Sequence, residues 1–323
     1  MSKNTNNTMI KKCIVCHNET SSTMEVSEMM FGTRDSFNYR VCRHCGSLTI
    51  DDPPKNLNTY YPNNYYSHKK AKKSSKLKLL LQKVKDCHSL NKKTVLGDFL
   101  NLIFGEDSNL KAVGLCLSNN KNPKILDIGS GTGHFLNKMD RCGFTKLYGI
   151  DPYLQQNIKI GNIKLTKAHI VDCVKSNKKY DIVMLSHVLE HLENPSQELE
   201  NIKKLLNVNG KIIIRIPISS SRAFEVFEKN WFQIDAPRHF FVPSLEGVLA
   251  LARTHNLKTD HFYFDSNYTQ FVVSKKYSKG IPLINQSNPT IWNKIYYSII
   301  AKKLNKSNKG DQATFIFSKT LDV

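Results

Sequence analysis

The chain has 323 residues, of which 40% are hydrophobic, and carries a net charge of +20. This is longer than one typical domain and apolar enough for a sizeable core. No run is long and apolar enough to span a membrane as a helix, and the opening MSKNTNNTMIKK lacks the apolar stretch of a secretory signal, so a cytoplasmic location is expected. The charge favours anionic partners: nucleic acid, nucleotide-sugars or anionic lipid.

In chain order, the first signal is two CxxC pairs, Cys13/Cys16 and Cys42/Cys45. In a chain expected to stay reduced, such pairs point to metal rather than to disulfides. A two-residue gap lets both sulfurs of a turn face one ion, and four thiolates complete a tetrahedral Zn²⁺ shell without His17 or His44. With no open position, this zinc is expected to be structural, and residues 1–60 are expected to form a zinc-ribbon-like module. The aromatic run YYPNNYYSH, Tyr60 to His68, is expected to pack on or partly cover another surface. Residues 61–118 then serve as linker and helical cover. Within them the basic stretch 68–93 carries Leu77, Leu80, Leu81, Val84 and Leu90 at helical spacing, which suits a solvated helix or peripheral contact with an anionic membrane. Thr94 to Leu117 reads as a further helical segment, interrupted at Gly105-Glu106-Asp107.

From about residue 119 the pattern becomes α/β. Lys124 to Asp151 reads as a buried parallel strand (Ile125, Leu126, Ile128), a glycine turn (Gly129-Ser130-Gly131-Thr132-Gly133), a helix with Phe135, Leu136 and Met139 inward, and a second strand, Leu147 to Ile150. Glycines let the turn approach a ligand closely. Asp151, at the tip of the second strand, can accept from vicinal ribose hydroxyls. Asp127, just before the glycines, suits an ammonium group and not a pyrophosphate. S-adenosylmethionine (SAM) has both a ribose and a cationic amino-acid end. Further on, a short helix is expected before a third strand, Ile163 to Thr166. A fourth strand, Tyr180 to Leu185, and a helix, Pro195 to Leu206, come next. Asn209-Gly210 is expected as the turn into a fifth strand, Lys211 to Ile216. A helix over Ser244 to Thr254, a sixth strand over Leu257 to Phe264 and a seventh over Gly310 to Lys319 complete the sheet. A helical insertion at about 268–309 carries Trp292, Ile295, Tyr296, Ile299 and Leu304, expected to cover the core.

ILDIGSGTG followed by GIDP resembles the first two motifs of class I SAM-dependent methyltransferases. The resemblance implies a Rossmann-like seven-stranded sheet and cofactor contacts from Asp127, Gly129, Gly131, Gly133, Asp151, Pro152 and Ser186. LSHVLEHLENP contains His187, Glu190 and His191 in an HxxEH spacing that alone would match an inverted zinc-protease motif. That reading needs a mid-helix position and a third ligand. The block is similar instead to one common among small-molecule methyltransferases, where it flanks the methyl donor. WFQIDAPRHFFVP, after the fifth strand, resembles the same subgroup. His239 is expected as general base, with His187 second, and Arg238 and His191 on the substrate side. The double CxxC followed by YYP is similar to the zinc-binding segment of sugar C-methyltransferases. Those enzymes carry a further C-terminal Rossmann-like domain that this sequence does not show, so O- and C-methylation both stay open. The expected partner is a small-molecule acceptor, a nucleotide-sugar or glycan precursor. Two rivals are an RNA methyltransferase, which the charge and zinc module would suit, and a SAM-binding partner protein without transferase activity.

Overall fold

The computed structural model describes residues 12–61, 75–90, 94–117 and 120–320. The aromatic run after Tyr61 and the ends of the basic stretch lie outside the described residues. The chain opens with an antiparallel meander of β1 (Thr20–Ser27), β2 (Ser36–Cys42) and β3 (Leu48–Ile50). Three helices follow: α1 (Lys76–Ser89), α2 (Val95–Phe104) and α3 (Ser108–Cys116). Each is capped by a side-chain oxygen, from Ser75, Thr94 and Asp107, that accepts a backbone N–H of the first turn. The break between α2 and α3 falls at Gly105 to Asp107, as the residues there suggest.

The main sheet starts with β4 (Ile125–Ile128), the glycine turn and α4 (His134–Arg141), then β5 (Leu147–Ile150). Where a short helix was expected, the chain instead makes a hairpin of β6 (Ile158–Ile160) and β7 (Ile163–Thr166), turning at Gly161 with φ +54°. Next come α5 (Ile170–Lys175), β8 (Tyr180–Ser186), α6 (Pro195–Lys204) and β9 (Leu206–Pro217). Asn209-Gly210 is therefore not a turn before the fifth strand. It sits inside β9 as a bulge, where Tyr180 pairs with Leu206 but Ile182 pairs with Lys211. Asn209 takes the positive φ of 64° that such a kink needs. The remaining elements are α7 (Arg222–Phe227), β10 (Phe241–Val242), α8 (Leu245–Thr254), β11 (Leu257–Phe264), α9 (Thr269–Tyr277), α10 (Ile291–Lys306) and β12 (Gln312–Lys319).

The sheet order is β11-β12-β9-β8-β4-β5-β7-β6. The expected seven strands are all present, parallel except for β12, and β6 adds an antiparallel eighth. Along the central strands the side chains alternate between two cores. Val183, Leu185, Ile212 and Ile214 point to one layer, and Ile182, Met184 and Ile213 to the other.

The first of these cores does not stop at the methyltransferase sheet. Cys13, Val15, Tyr39 and Leu48 of the N-terminal module pack in the same cluster as Trp231, Phe241, Val242 and Ile214. The backbone joins there too: β10 pairs antiparallel with β3, Phe241 opposite Thr49 and Val242 opposite Leu48. The module is thus built into the segment after β9.

The insertion between β11 and β12 is helical, as expected, but its apolar stripe is not core cover. Trp292 is 76% exposed, and Ile295, Tyr296 and Ile299 also face solvent. α10 is apolar on two sides, and the side that packs is the other one, with Ala301 buried and Tyr297 stacked on Phe271 of α9 at 5.5 Å between ring centroids.

Candidate active site

The proposed cofactor side is assembled mostly from one stretch, Asp127 to Tyr153, with Ser186 added from the tip of β8. Gly129 has φ +69°, and a Cβ there would stand 2.5 Å from Cγ2 of Val188, so the glycine turn and the turn after β8 fit only without a side chain. Gly131 and Gly133 also have positive φ. Asp151 is buried with its carboxylate fixed: Oδ2 accepts from Gly131 N at 2.9 Å and Oδ1 from Tyr153 N at 2.9 Å. Pro152 lies between them, half-buried. Asp127, at the carboxyl end of β4, has no cationic partner among the described residues. Burial first, and the charge of Asp151 second, push its pKa up to about 8. A carboxyl in that state accommodates a cationic ligand group, whose charge would offset both effects. Ser186, at the tip of β8, shares hydrogen bonds of 3.2 and 3.3 Å with the side-chain amide of Asn109 on α3.

The side expected to face the acceptor comes from three separate stretches: the turn after β8, the loop before β10 and the N-terminal module. Arg215 Nη1, which can only donate, lies 2.8 Å from His187 Nε2, so Nδ1–H of that ring donates to Glu190 Oε1 at 3.1 Å. Both nitrogens of His187 are thereby engaged. Glu190 is wholly buried. Burial opposes its charge, but the bond from His187 holds its pKa below the usual range. Its other oxygen, Oε2, has no hydrogen-bond partner among the described residues. His191 Nδ1 is 2.9 Å from the carbonyl of Arg238, and His239 Nδ1 is 2.8 Å from that of Gln233. Nδ1 of each ring is thereby engaged, and Nε2 of the buried His239 lies 3.9 Å from Asp235 Oδ2. The two imidazoles meet edge to face at 4.6 Å. Burial and His191 push His239 down to about 4, so it is a neutral imidazole at ordinary pH. Ligand atoms of Glu190, His191 and His239 lie within 4.8 Å of one another, close enough to take a cation.

Arg238, expected to face a substrate, points the other way. It is 0% exposed, bound to Asp235 at 2.7 Å, to Glu28 at 2.8 Å and to the carbonyl of Tyr60 at 3.2 Å. A substrate phosphate would have to displace two carboxylates to reach it. Glu28 in turn accepts backbone N–H groups from Met30 to Thr33 at 2.8 to 3.3 Å. Tyr39 donates to the carbonyl of His239 at 2.8 Å. These contacts tie the His239 loop to the N-terminal module. Tyr61 closes the circuit, since its hydroxyl is 3.2 Å from His191 Nδ1 and its ring stacks on Tyr153, two residues past Asp151. The aromatic loop signalled Tyr61 as a covering residue, whereas Tyr153, Asn109 and Glu28 carry no local signature.

The four expected metal cysteines converge. Cys13 and Cys45 Sγ are 3.8 Å apart, Cys16 and Cys42 Sγ 3.5 Å, and all four lie within 4.8 Å of one another. Thiolates at about 2.3 Å from a tetrahedral Zn²⁺ stand about 3.8 Å apart. Val15 N and Asn18 Nδ2 point at Cys13 and Cys16 sulfur, at 3.4 and 3.5 Å. The bond between Cys13 and Cys45 pulls the Cys45 thiol down and pushes that of Cys13 up.

Residues 102–261 match the family model described as a methyltransferase domain. The chain is 25% identical over 186 residues to an uncharacterized methyltransferase of Alkaliphilus oremlandii, covering 56% of this chain and 79% of that one. It is 24% identical over 150 residues to a tRNA U34 carboxymethyltransferase of Campylobacter fetus, covering 44% of this chain and 53% of that one. The match thus spans about half the length of the tRNA relatives. Among solved structures it is similar to a SAM dependent methyltransferase from Archaeoglobus fulgidus, at 18% identity and a TM-score of 0.42 over 68% of this chain and 98% of that one. Among the described residues no helix is long and apolar enough to cross a membrane. With the strand order, the glycine turn and the two acids in place, the chain carries a class I SAM-dependent methyltransferase domain and is a methyltransferase.

Proposed function

We propose that this methyltransferase acts on a small hydroxylated acceptor, a nucleotide-sugar or glycan precursor, at the Glu190–His191–His239 cluster. The observation that carries this reading is the pairing of β3 with β10. The N-terminal module supports the loop that holds His239, as a buttress of a compact site rather than an outward-reaching arm for nucleic acid. Bound SAM supplies a methyl group on a sulfonium; an acceptor lone pair takes it, and the C–S electron pair stays on sulfur. In this proposal Asp127 binds the ammonium end, Asp151 the ribose, and Gly129, Gly131, Gly133, Pro152 and Ser186 line the cofactor. His239 presents a neutral imidazole and His191 a ring nitrogen to the acceptor hydroxyl, orienting it and easing loss of its proton. His187, with both nitrogens engaged, positions Glu190. The same reading assigns Cys13, Cys16, Cys42 and Cys45 a structural Zn²⁺, for which the sulfur spacings are right.

The tRNA relatives and the net charge of +20 favour a second reading, transfer to RNA. Incubation with methyl-labelled SAM and, in parallel, a nucleotide-sugar panel and bulk tRNA separates the two. Label is expected in a sugar. Label in tRNA alone, with salt-sensitive RNA binding, would replace the sugar reading, and no label in either would remove both.

A further inference from the structure

From Ser266 to Gly310 the chain contains eight lysines and neither aspartate nor glutamate. The exposed apolar residues of α10 fall in this same acid-free segment. Ile291, Trp292, Ile295, Tyr296 and Ile299 recur at the spacing of one helical face. The face then continues, one turn on, into exposed Lys302, Lys303 and Lys306. Ile281 and Ile284, in the segment leading to α10, are exposed as well. A helix of 16 residues is about 24 Å long, too short to cross a bilayer but long enough to lie in its surface.

We propose that α10 and the segment before it form a docking surface for an anionic lipid bilayer. Isoleucines and Trp292 would enter the acyl boundary while the lysines meet the headgroups. The charge pattern selects the partner: with no acid in the segment, a neutral or basic surface gains nothing from it. The apolar pattern separates lipid from nucleic acid, the other polyanion. Five of the exposed residues are isoleucines, which fill an acyl layer but give bases nothing to stack on, and only two are aromatic. The placement is functional. The segment leaves the sheet at Phe264 and returns at Gln312, which pair with or flank Ala313 opposite Ile216 near the end of β9. That is the carboxyl edge of the parallel strands, where the cofactor and acceptor loops gather, so a docked chain would open its site towards the membrane. The inference does not depend on the acceptor's identity.

Trp292 is its own reporter, because the other tryptophan, Trp231, is buried at 1% exposure. The full chain is titrated with vesicles of phosphatidylcholine alone and of phosphatidylcholine with phosphatidylglycerol. The anionic vesicles are expected to shift Trp292 emission to the blue and to co-sediment the protein, with both effects weakened by salt. Ile295→Glu with Ile299→Glu should weaken partitioning at least about tenfold, with SAM affinity unchanged as the control for folding. Trp292→Phe should abolish the shift yet keep co-sedimentation. Equal behaviour on both vesicle types, or no loss in the double variant, would overturn the proposal. So would a blue shift that grows with protein concentration in the absence of lipid, which would mark a self-interface, or RNA binding lost in the double variant while vesicle binding is not. Sugar or tRNA methylation in the parallel assay leaves this result untouched, so the two readings fail separately.

Discussion

The two halves of the site are built in opposite ways. Most of the proposed cofactor half comes from one continuous stretch, Asp127 to Tyr153, in which strand, turn, helix and strand bring both acids and the glycines together. The proposed acceptor half comes from segments up to about two hundred residues apart, held by Arg238 to Glu28, Tyr39 to the His239 carbonyl, and β3 to β10. A local site depends on backbone conformation; a dispersed one depends on the scaffold that gathers it. The two halves should therefore respond differently to damage in that scaffold.

The largest difference is expected on removing the proposed zinc, whose binding contributes on the order of 10 kcal/mol to the fold of such a module. Metal analysis should find one equivalent, lost in the Cys42→Ser, Cys45→Ser variant. Turnover should vanish while SAM affinity by calorimetry stays within about tenfold, since the module reaches the cofactor side through Tyr61 on Tyr153. Equal loss of both would show that the halves unfold together and the contrast is false. Arg238→Ala comes next. It leaves Glu28 and Asp235 buried without their cation, at a cost of about 3–5 kcal/mol in urea unfolding. A cost below about 1 kcal/mol would mean that the ion pairs do not hold the loop.

The smallest effect sharpens the cofactor half through pH. The folded pKa of Asp127, about 8, lies above the ordinary value of 3.8. The folded apo chain therefore binds this proton more tightly than the unfolded chain. The stabilisation is complete below about pH 4 and is lost as pH rises through about 8. A cationic ligand needs the ionised form, so SAM affinity should fall as pH drops below 8, by at most about tenfold per unit. Asp127→Asn should flatten both profiles, raising apo melting temperature at pH 8 while weakening SAM. A pH-independent SAM affinity in the unmodified chain would place the ammonium elsewhere.

The same contrast explains what was legible in the amino-acid sequence. β4, the glycine turn, α4, β5 and Asp151 were readable because each is set by its neighbours. The four cysteines were readable because spacing alone defines a knuckle. Asn209-Gly210 misled because the positive φ that favours a turn also suits a bulge, and only pairing with β8 decides between them. The stripe of α10 misled because the helix has two apolar sides, and α9 takes the other. Arg238 was misplaced because its partners, Glu28 and Asp235, converge on it only through the tertiary fold. Nothing near Glu28 in the chain announces that its carboxylate will be wrapped by backbone amides.

The pairing of β3 with β10 also sets an order of events during synthesis. Leu48 must wait for Val242, about 190 residues later, before the N-terminal sheet has its fourth strand. At ribosomal rates of about 5–20 residues per second, that interval is roughly 10–40 s. All four cysteines emerge long before it ends, so the proposed zinc has time to load while the edge of β3 is still open. A nascent chain caught in that window presents a ribbon, metal-bound if the proposed zinc is in place, with an unpaired strand, the state in which a chaperone, or another nascent copy, would find it.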